Sequence, residues 1–300
     1  MTDTVFQACP LLATVEAELH ASYQVVREPT EDAVAAITSS RYGVTNSQID
    51  ALPKLRAIVH FGVGYETTDV AYARSKGIVV SNTPDVLTDC VADLAVGGLI
   101  DVMRRLSDAE RFVRRGDWAR GQYPLATKVS GKRVGILGLG RIGQAIARRL
   151  TGFEVAISYH SRHVVDGVPY TYADSPTALA SSVDALVVAT SGGSATAGLV
   201  SAEVLDALGS DGYLVNIARG SVVDEPALVS ALVDGRLAGA ALDVFADEPN
   251  VPAPLLDLDN VVLLPHIASA THETRWAMGD LAVRNLRQFL TDGTLLTPVP

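Results

Sequence analysis

Apolar and polar positions along the 300-residue chain fall into two alternating series. In the first, short apolar runs at residues 5–8, 24–26, 57–59 and 78–80 predict strands. The patterns over 11–20, 31–37 and 70–75 predict helices between them. Next, Val91, Leu94, Ala95, Leu99, Val102 and Leu106 recur at helical spacing, so one long helix is expected over 88–115, linking two domains. Gly116 ends it, and Gly121 and Pro124 mark an irregular connection. The second series has strand candidates at 133–137, 154–159, 185–189, 213–217, 240–244 and 261–264, then a helical pattern over 271–290. Alternation of strand and helix predicts parallel sheets with right-handed crossovers. Six strands in the second series suit a complete doubly wound sheet. The fold class expected is therefore α/β, with two doubly wound parallel-sheet domains of Rossmann or flavodoxin type.

Composition narrows the function classes. Hydrophobic residues make up 48% and charged residues 19%, a globular balance rather than a disordered one. The net charge is −10, from 34 acidic and 24 basic residues, so no basic face is expected for nucleic acid or for an anionic membrane. Cys9 and Cys90 are far apart, which argues against a disulfide framework and a zinc site. Buried thiols in a reducing cytoplasm are the simplest expectation, and no metal is expected. The N-terminus has no long apolar run, so no signal peptide is read there. The apolar-rich stretch 92–103 is cut by Asp93 and Asp101, so no membrane span is expected either.

The turn Gly138-Leu139-Gly140-Arg141-Ile142-Gly143 follows one predicted strand and opens a helix. In that context the three glycines serve a tight turn, close approach of a pyrophosphate, and helix–strand packing. The helix N-terminus adds free N–H groups and partial positive charge for phosphates. A nicotinamide dinucleotide is the expected ligand. The next strand should end on an acid if an NAD ribose is bound. It ends instead on His160, Ser161 and Arg162. A carboxylate there would repel a 2′-phosphate, whereas an arginine beside a hydroxyl would bind one. NADP(H) is therefore expected over NAD(H), with NAD(H) the weaker alternative and a solvated surface arginine the plainer reading of Arg162.

Reducing a ketone requires a cation for the substrate carboxylate, an acid for the nascent alkoxide, and a partner that holds the acid. Arg219 lies just after a predicted strand, where ligands of open sheets bind. Its planar fork suits a 2-keto acid. His266 also follows a strand, after Pro265 and before small residues. Histidine can give and take protons near neutral pH. Either role has a structural rival: an ion pair for Arg219, a satisfied core histidine for His266. Glu248 or Asp247 could orient the imidazole and favour its charged form, and spacing does not separate the two acids.

These residues together resemble the D-isomer-specific 2-hydroxyacid dehydrogenases. The resemblance rests on Phe61-Gly62-Val63-Gly64-Tyr65, Asn82-Thr83-Pro84-Asp85-Val86, 131–143, Asn216-Ile217-Ala218-Arg219-Gly220, Asp243-Val244-Phe245, Asp247-Glu248-Pro249 and Pro265-His266-Ile267. It covers nearly the whole chain. It implies that Arg219 binds substrate, His266 is the acid/base and Glu248 its partner. It implies that Val63 and Gly64 give backbone donors to the substrate carboxylate, with Asp243 near the nicotinamide amide. Ser191, Ile217 and Ala268 fall at cofactor-contacting positions. The family fold implies a discontinuous substrate-binding domain, 1–97 with 272–300, a dinucleotide-binding domain, 98–271, and an active site in the interdomain cleft. It also implies a homodimer, for which 105–125 with Trp118 and Tyr123 is a candidate contact. Two departures stand out: Thr190-Ser191-Gly192-Gly193-Ser194-Ala195-Thr196 replaces a Pro-Leu-Thr type of loop, and Ala268 stands where many members have glycine.

Within the family, residues 159–162 resemble the NADPH-preferring glyoxylate/hydroxypyruvate reductases. The leading expectation is reduction of glyoxylate and hydroxypyruvate to glycolate and D-glycerate. One alternative is a longer 2-keto acid such as 2-ketogluconate. Another, of a different class, is a dinucleotide-sensing binding protein such as a corepressor.

Overall fold

The computed structural model describes residues 2–300, in two units: 2–87 with Thr271–Pro300, and Thr88–Ala270. The first is built on β1 (Thr4–Gln7), β2 (Gln24–Val26), β3 (Ala33–Ser39), β4 (Ala57–Phe61) and β5 (Val79–Ser81). All are parallel, in the order β2-β1-β3-β4-β5, which is the flavodoxin-type order. Helices α1 (Ala13–Ser22), α2 (Asn46–Asp50) and α3 (Val70–Ser75) connect them. The C-terminal helix, His272–Asp292, packs on α1, β3 and β4. Beyond it, Ser81 and Pro298 form an antiparallel bridge, and the Val299 amide donates to the Val80 carbonyl at 2.9 Å.

Residues 31–37 correct the expectation of a helix. They fall largely in β3, between β1 and β4. Ala33, Ala35, Ala36 and Ile37 are fully buried. A central parallel strand is covered on both faces, so it lacks the alternation that distinguishes strand from helix.

His60, on β4, is also fully buried. Its Nε2 lies 3.0 Å from Thr68 Oγ1, and its Nδ1 has no partner among the described residues. Burial pushes its pKa down to about 4, only partly offset by Glu66. Between pH 6.5 and 4 the unfolded chain therefore binds a proton that the folded chain rejects. Stability falls as pH drops through that window, by about 3 kcal/mol in all. Urea titrations at pH 7 and 4.5 should show wild type losing about 2–3 kcal/mol more than His60→Gln. Equal losses would remove His60 as the cause.

The second unit begins with α4 (Thr88–Arg104) and α5 (Leu106–Arg114). Then come β6 (Arg133–Leu137), α6 (Arg141–Leu150), β7 (Ala156–His160), β8 (Thr171–Tyr172), α7 (Pro176–Ser181) and β9 (Ala185–Val188). The series ends with α8 (Ala202–Leu208), β10 (Tyr213–Asn216), α9 (Glu225–Val233), β11 (Gly239–Leu242), α10 (Ala253–Leu256) and β12 (Val261–Leu263). The expected single helix over 88–115 is two helices. Arg105 between them adopts a left-handed φ of 52°. Asp101 accounts for the break: its carboxylate accepts from the Ser107 amide at 2.8 Å and the Ser107 hydroxyl at 2.6 Å. Cys90, expected to be buried, is half-buried on α4, whereas Cys9 is buried.

The sheet has seven parallel strands rather than six, in the order β12-β11-β10-β9-β6-β7-β8. The extra strand, β8, is two residues long, too short for any periodicity to register. The order reverses at β6, which lies between β7 and β9. Ligands of such sheets bind outside the carboxyl ends of the strands at that reversal. The glycine turn leaves β6 there. No described helix is long and apolar enough to cross a membrane.

Candidate active site

The glycine turn separates packing from binding. A Cβ on Gly138, whose φ is +99°, would sit 2.7 Å from the Thr190 backbone, and one on Gly143 would sit 2.1 Å from the Gly138 carbonyl oxygen. Those two glycines are required by the turn itself. A Cβ on Gly140 would meet nothing within 4 Å. Gly140 is the N-cap of α6, and no side chain caps that helix. Open space thus faces an uncapped helix N-terminus, at Arg141, Ile142 and Gly143. This is the cradle a pyrophosphate needs, and the residues fit a dinucleotide.

The end of β7 is tied to this turn. The Gly138 amide donates to the His160 carbonyl at 2.8 Å, and the Leu139 amide to Ser161 Oγ at 2.8 Å. The Ser161 hydroxyl has no acceptor of its own among the described residues, so it can donate to a ligand. His160 Nδ1 donates to the Ala173 carbonyl at 2.8 Å, and its ring stacks on Tyr172. Arg162 is exposed, with no ion pair among the described residues. Ala173 and Tyr172, which hold His160, carry no sequence signal because β8 is only two residues long.

Past β10, β11 and β12 lie the polar residues suited to proton transfer. His266 Nδ1 is 2.8 Å from Glu248 Oε2. The other Glu248 oxygen accepts from the Phe245 amide at 3.2 Å, which fixes the carboxylate. Asp247 Oδ2 instead accepts from Asn250 Nδ2 at 3.0 Å. With Nδ1 on a carboxylate, Nε2 is the ring nitrogen left for another partner. His266 has a φ of 56°, uncommon for a residue other than glycine. The next two residues are clamped: Asp243 accepts from the Ile267 amide at 2.7 Å and the Ala268 amide at 2.8 Å. Burial pushes the Asp243 carboxyl up, against the pull of those two amides.

Arg219 sits on the turn after β10. Asn216 Oδ1 accepts from the Ala218 amide at 3.1 Å, and Asn216 Nδ2 donates to the Arg219 carbonyl at 3.1 Å. The guanidinium Nη1 donates to the Ala218 carbonyl at 2.7 Å. A Cβ on Gly220 would fall 1.9 Å from the Phe245 carbonyl carbon, so only glycine lets the Arg219 turn abut the segment leading to Glu248. Ile217 and Ala268 are buried beside these groups in sequence. The Ser191 carbonyl accepts from Thr196 Oγ1 at 2.7 Å.

In the first unit, Val63 and Gly64 follow β4. Their amides have no acceptor among the described residues. Their carbonyls do have donors: Asn82 Nδ2 reaches Val63 O at 2.7 Å, and Ser40 Oγ reaches Gly64 O at 2.6 Å. Asn82 was visible in its motif but carried no assigned role, and Ser40 gave no signal at all. Among the described residues, no cluster of three or more acidic, histidine or cysteine side chains could hold a metal.

The profile of the D-isomer specific 2-hydroxyacid dehydrogenase NAD binding domain matches residues 96–268. The chain belongs to that family. It is similar to the hydroxyphenylpyruvate reductase of Plectranthus scutellarioides, 48% identical over 98% of each chain. It is also similar to the 2-ketogluconate reductase of Gluconobacter oxydans, 46% identical over 87% of this chain and 84% of the other. Among solved structures it is similar to an NADPH-dependent glyoxylate/hydroxypyruvate reductase from Sinorhizobium meliloti in complex with NADP and malonate. That match has a TM-score of 0.95 and 43% identity, covering 100% of this chain and 97% of the other. The two parallel α/β sheets are those of the family.

Proposed function

We propose that the protein reduces a small 2-keto acid, glyoxylate or hydroxypyruvate, to the D-2-hydroxy acid with NADPH. The observation that carries this reading is the imidazole of His266, held through Nδ1 by Glu248 at 2.8 Å. In that arrangement Nε2 gives a proton to the carbonyl oxygen as it becomes an alkoxide, while Glu248 holds the ring through Nδ1. The Arg219 fork holds the carboxylate and carbonyl, and the amides of Val63 and Gly64 hold the carboxylate. NADPH, when bound, supplies the hydride. Gly138, Gly140, Arg141, Ile142 and Gly143 would hold its pyrophosphate, and His160, Ser161 and Arg162 its 2′-phosphate. Ser191, Ile217, Asp243 and Ala268 would contact its nicotinamide half. The Sinorhizobium relative, named NADPH-dependent and seen with NADP and the small dicarboxylate malonate, supports the reading.

A longer substrate is the second reading, favoured by the relatives named for hydroxyphenylpyruvate and 2-ketogluconate. Steady-state kinetics on a 2-keto acid panel with NADPH and NADH test both. The expected result is the highest kcat/KM for glyoxylate or hydroxypyruvate with NADPH. Higher efficiency with 2-ketogluconate or 4-hydroxyphenylpyruvate would move the assignment. The double variant Ser161→Ala with Arg162→Ala loses charge-assisted bonds of about 1.5–3 kcal/mol each. Its NADPH-over-NADH ratio should fall at least about tenfold, and an unchanged ratio would remove both residues from the 2′-phosphate site.

The protein is read as a cytoplasmic homodimer. The segment carrying Val113, Trp118 and Leu125 leaves all three exposed, Leu125 completely. Such apolar side chains suit an interface with a second copy. Sedimentation of a monomer at assay concentration would dismiss it.

A further inference from the structure

We infer that Ser40 and Thr297 are positioning residues for the substrate carboxylate. The inference rests on the reading of Val63 and Gly64 as its backbone donors. In a trans peptide the C=O of one residue and the N–H of the next point in opposite directions. Whatever holds the carbonyl therefore aims the amide.

Each peptide of this loop is held from behind. Gly62 O accepts from the Thr83 amide at 2.9 Å, which aims the Val63 N–H. Val63 O accepts from Asn82 Nδ2 at 2.7 Å, which aims the Gly64 N–H. Gly64 O accepts from Ser40 Oγ at 2.6 Å, so Gly64 is fixed on both sides. Ser40 and Asn82 come from strands on opposite sides of β4, since they follow β3 and β5.

Asn82 is itself held by the end of the chain. Thr297 Oγ1 donates to the Asn82 carbonyl at 2.6 Å, and the Asn82 amide donates to the Thr297 carbonyl at 3.4 Å. Thr297 in turn is fixed by Asn285, fully buried on the C-terminal helix. Asn285 Nδ2 donates to Thr297 Oγ1 at 2.9 Å, and the Thr297 amide donates to Asn285 Oδ1 at 3.1 Å. A relay Asn285–Thr297–Asn82 thus ends on the peptide that presents the Gly64 amide. Loosening it weakens a contact made equally in the bound substrate and the transition state, so KM changes and kcat does not.

The test compares Ser40→Ala, Thr297→Val and Thr297→Ser with wild type in saturating NADPH. The first two should raise the KM for glyoxylate about tenfold, with kcat within about twofold and the KM for NADPH unchanged. Thr297→Ser keeps the hydroxyl and should restore the wild-type KM. Thermal melts check folding; a fall in kcat that tracks lost melting temperature, with KM unchanged, would overturn the inference. The underlying reading has its own readout. Oxalate titrated into 15N-labelled wild type with NADP should shift the Val63 and Gly64 amides. No shift there overturns the reading and the inference together. A shift with unchanged KM in the variants overturns the inference alone.

Discussion

Replacing His266 by alanine lowers kcat by about 10²–10⁴-fold, the range for a lost general acid. The structure concentrates several costs on this one side chain. A left-handed backbone at a residue other than glycine costs about 1–2 kcal/mol, and His266 adopts a φ of 56°. Two amides donating to the buried Asp243 carboxylate immediately after it offset that cost. Glu248, pinned by the Phe245 amide, then fixes the ring through Nδ1. So much local restraint serves one outcome, an imidazole whose Nε2 stays aimed. Glu248→Gln keeps the shape and loses the charge, so its effect should be smaller than that of His266→Ala. Stopped-flow measurement of NADPH oxidation at saturating substrate reads the loss directly. Turnover near wild type in a folded His266→Ala protein would refute the role.

Arg219→Lys is expected to lower kcat/KM for the 2-keto acid by about 10²–10³-fold, although the charge is kept. Lysine offers a point charge on a flexible stem, whereas the guanidinium offers two parallel donors in one plane. The fold invests in that plane. Asn216 grips the backbone on both sides of Ala218, and one guanidinium nitrogen is already directed to the Ala218 carbonyl. The loss should fall on the substrate, leaving the KM for NADPH unaltered. A variant with wild-type KM and kcat for glyoxylate would take Arg219 out of the site.

The legible parts of the fold were those where periodicity or a motif records a geometric need. β6, the glycine turn and α6 could be read because a strand, a tight turn and a helix follow one another within 133–150. β3 could not, because a strand buried on both faces has no alternation to display. The break at Arg105 was hidden because it depends on where the Asp101 carboxylate points, not on a glycine or proline. At the site, residue types pointed to Arg219, His266 and one of two acids, the resemblance implied Glu248, and the geometry shows Asp247 turned to Asn250. Ser40 and Thr297 were illegible for a different reason. Each acts through a single hydrogen bond to a backbone carbonyl far away in sequence, and no local pattern encodes such a bond.

The division of the chain has a consequence for its synthesis. Residues 88–270 form one contiguous unit that can fold as it leaves the ribosome. The other unit cannot: its five strands emerge first, but the helix that covers β4 and the segment bearing Thr297 emerge last. At about 5–20 residues per second, the early strands wait on the order of ten to forty seconds for those partners. During that interval the face awaiting the C-terminal helix is open to other hydrophobic surfaces. The unit assigned here to the substrate is thus the one more exposed to misassembly in the cell.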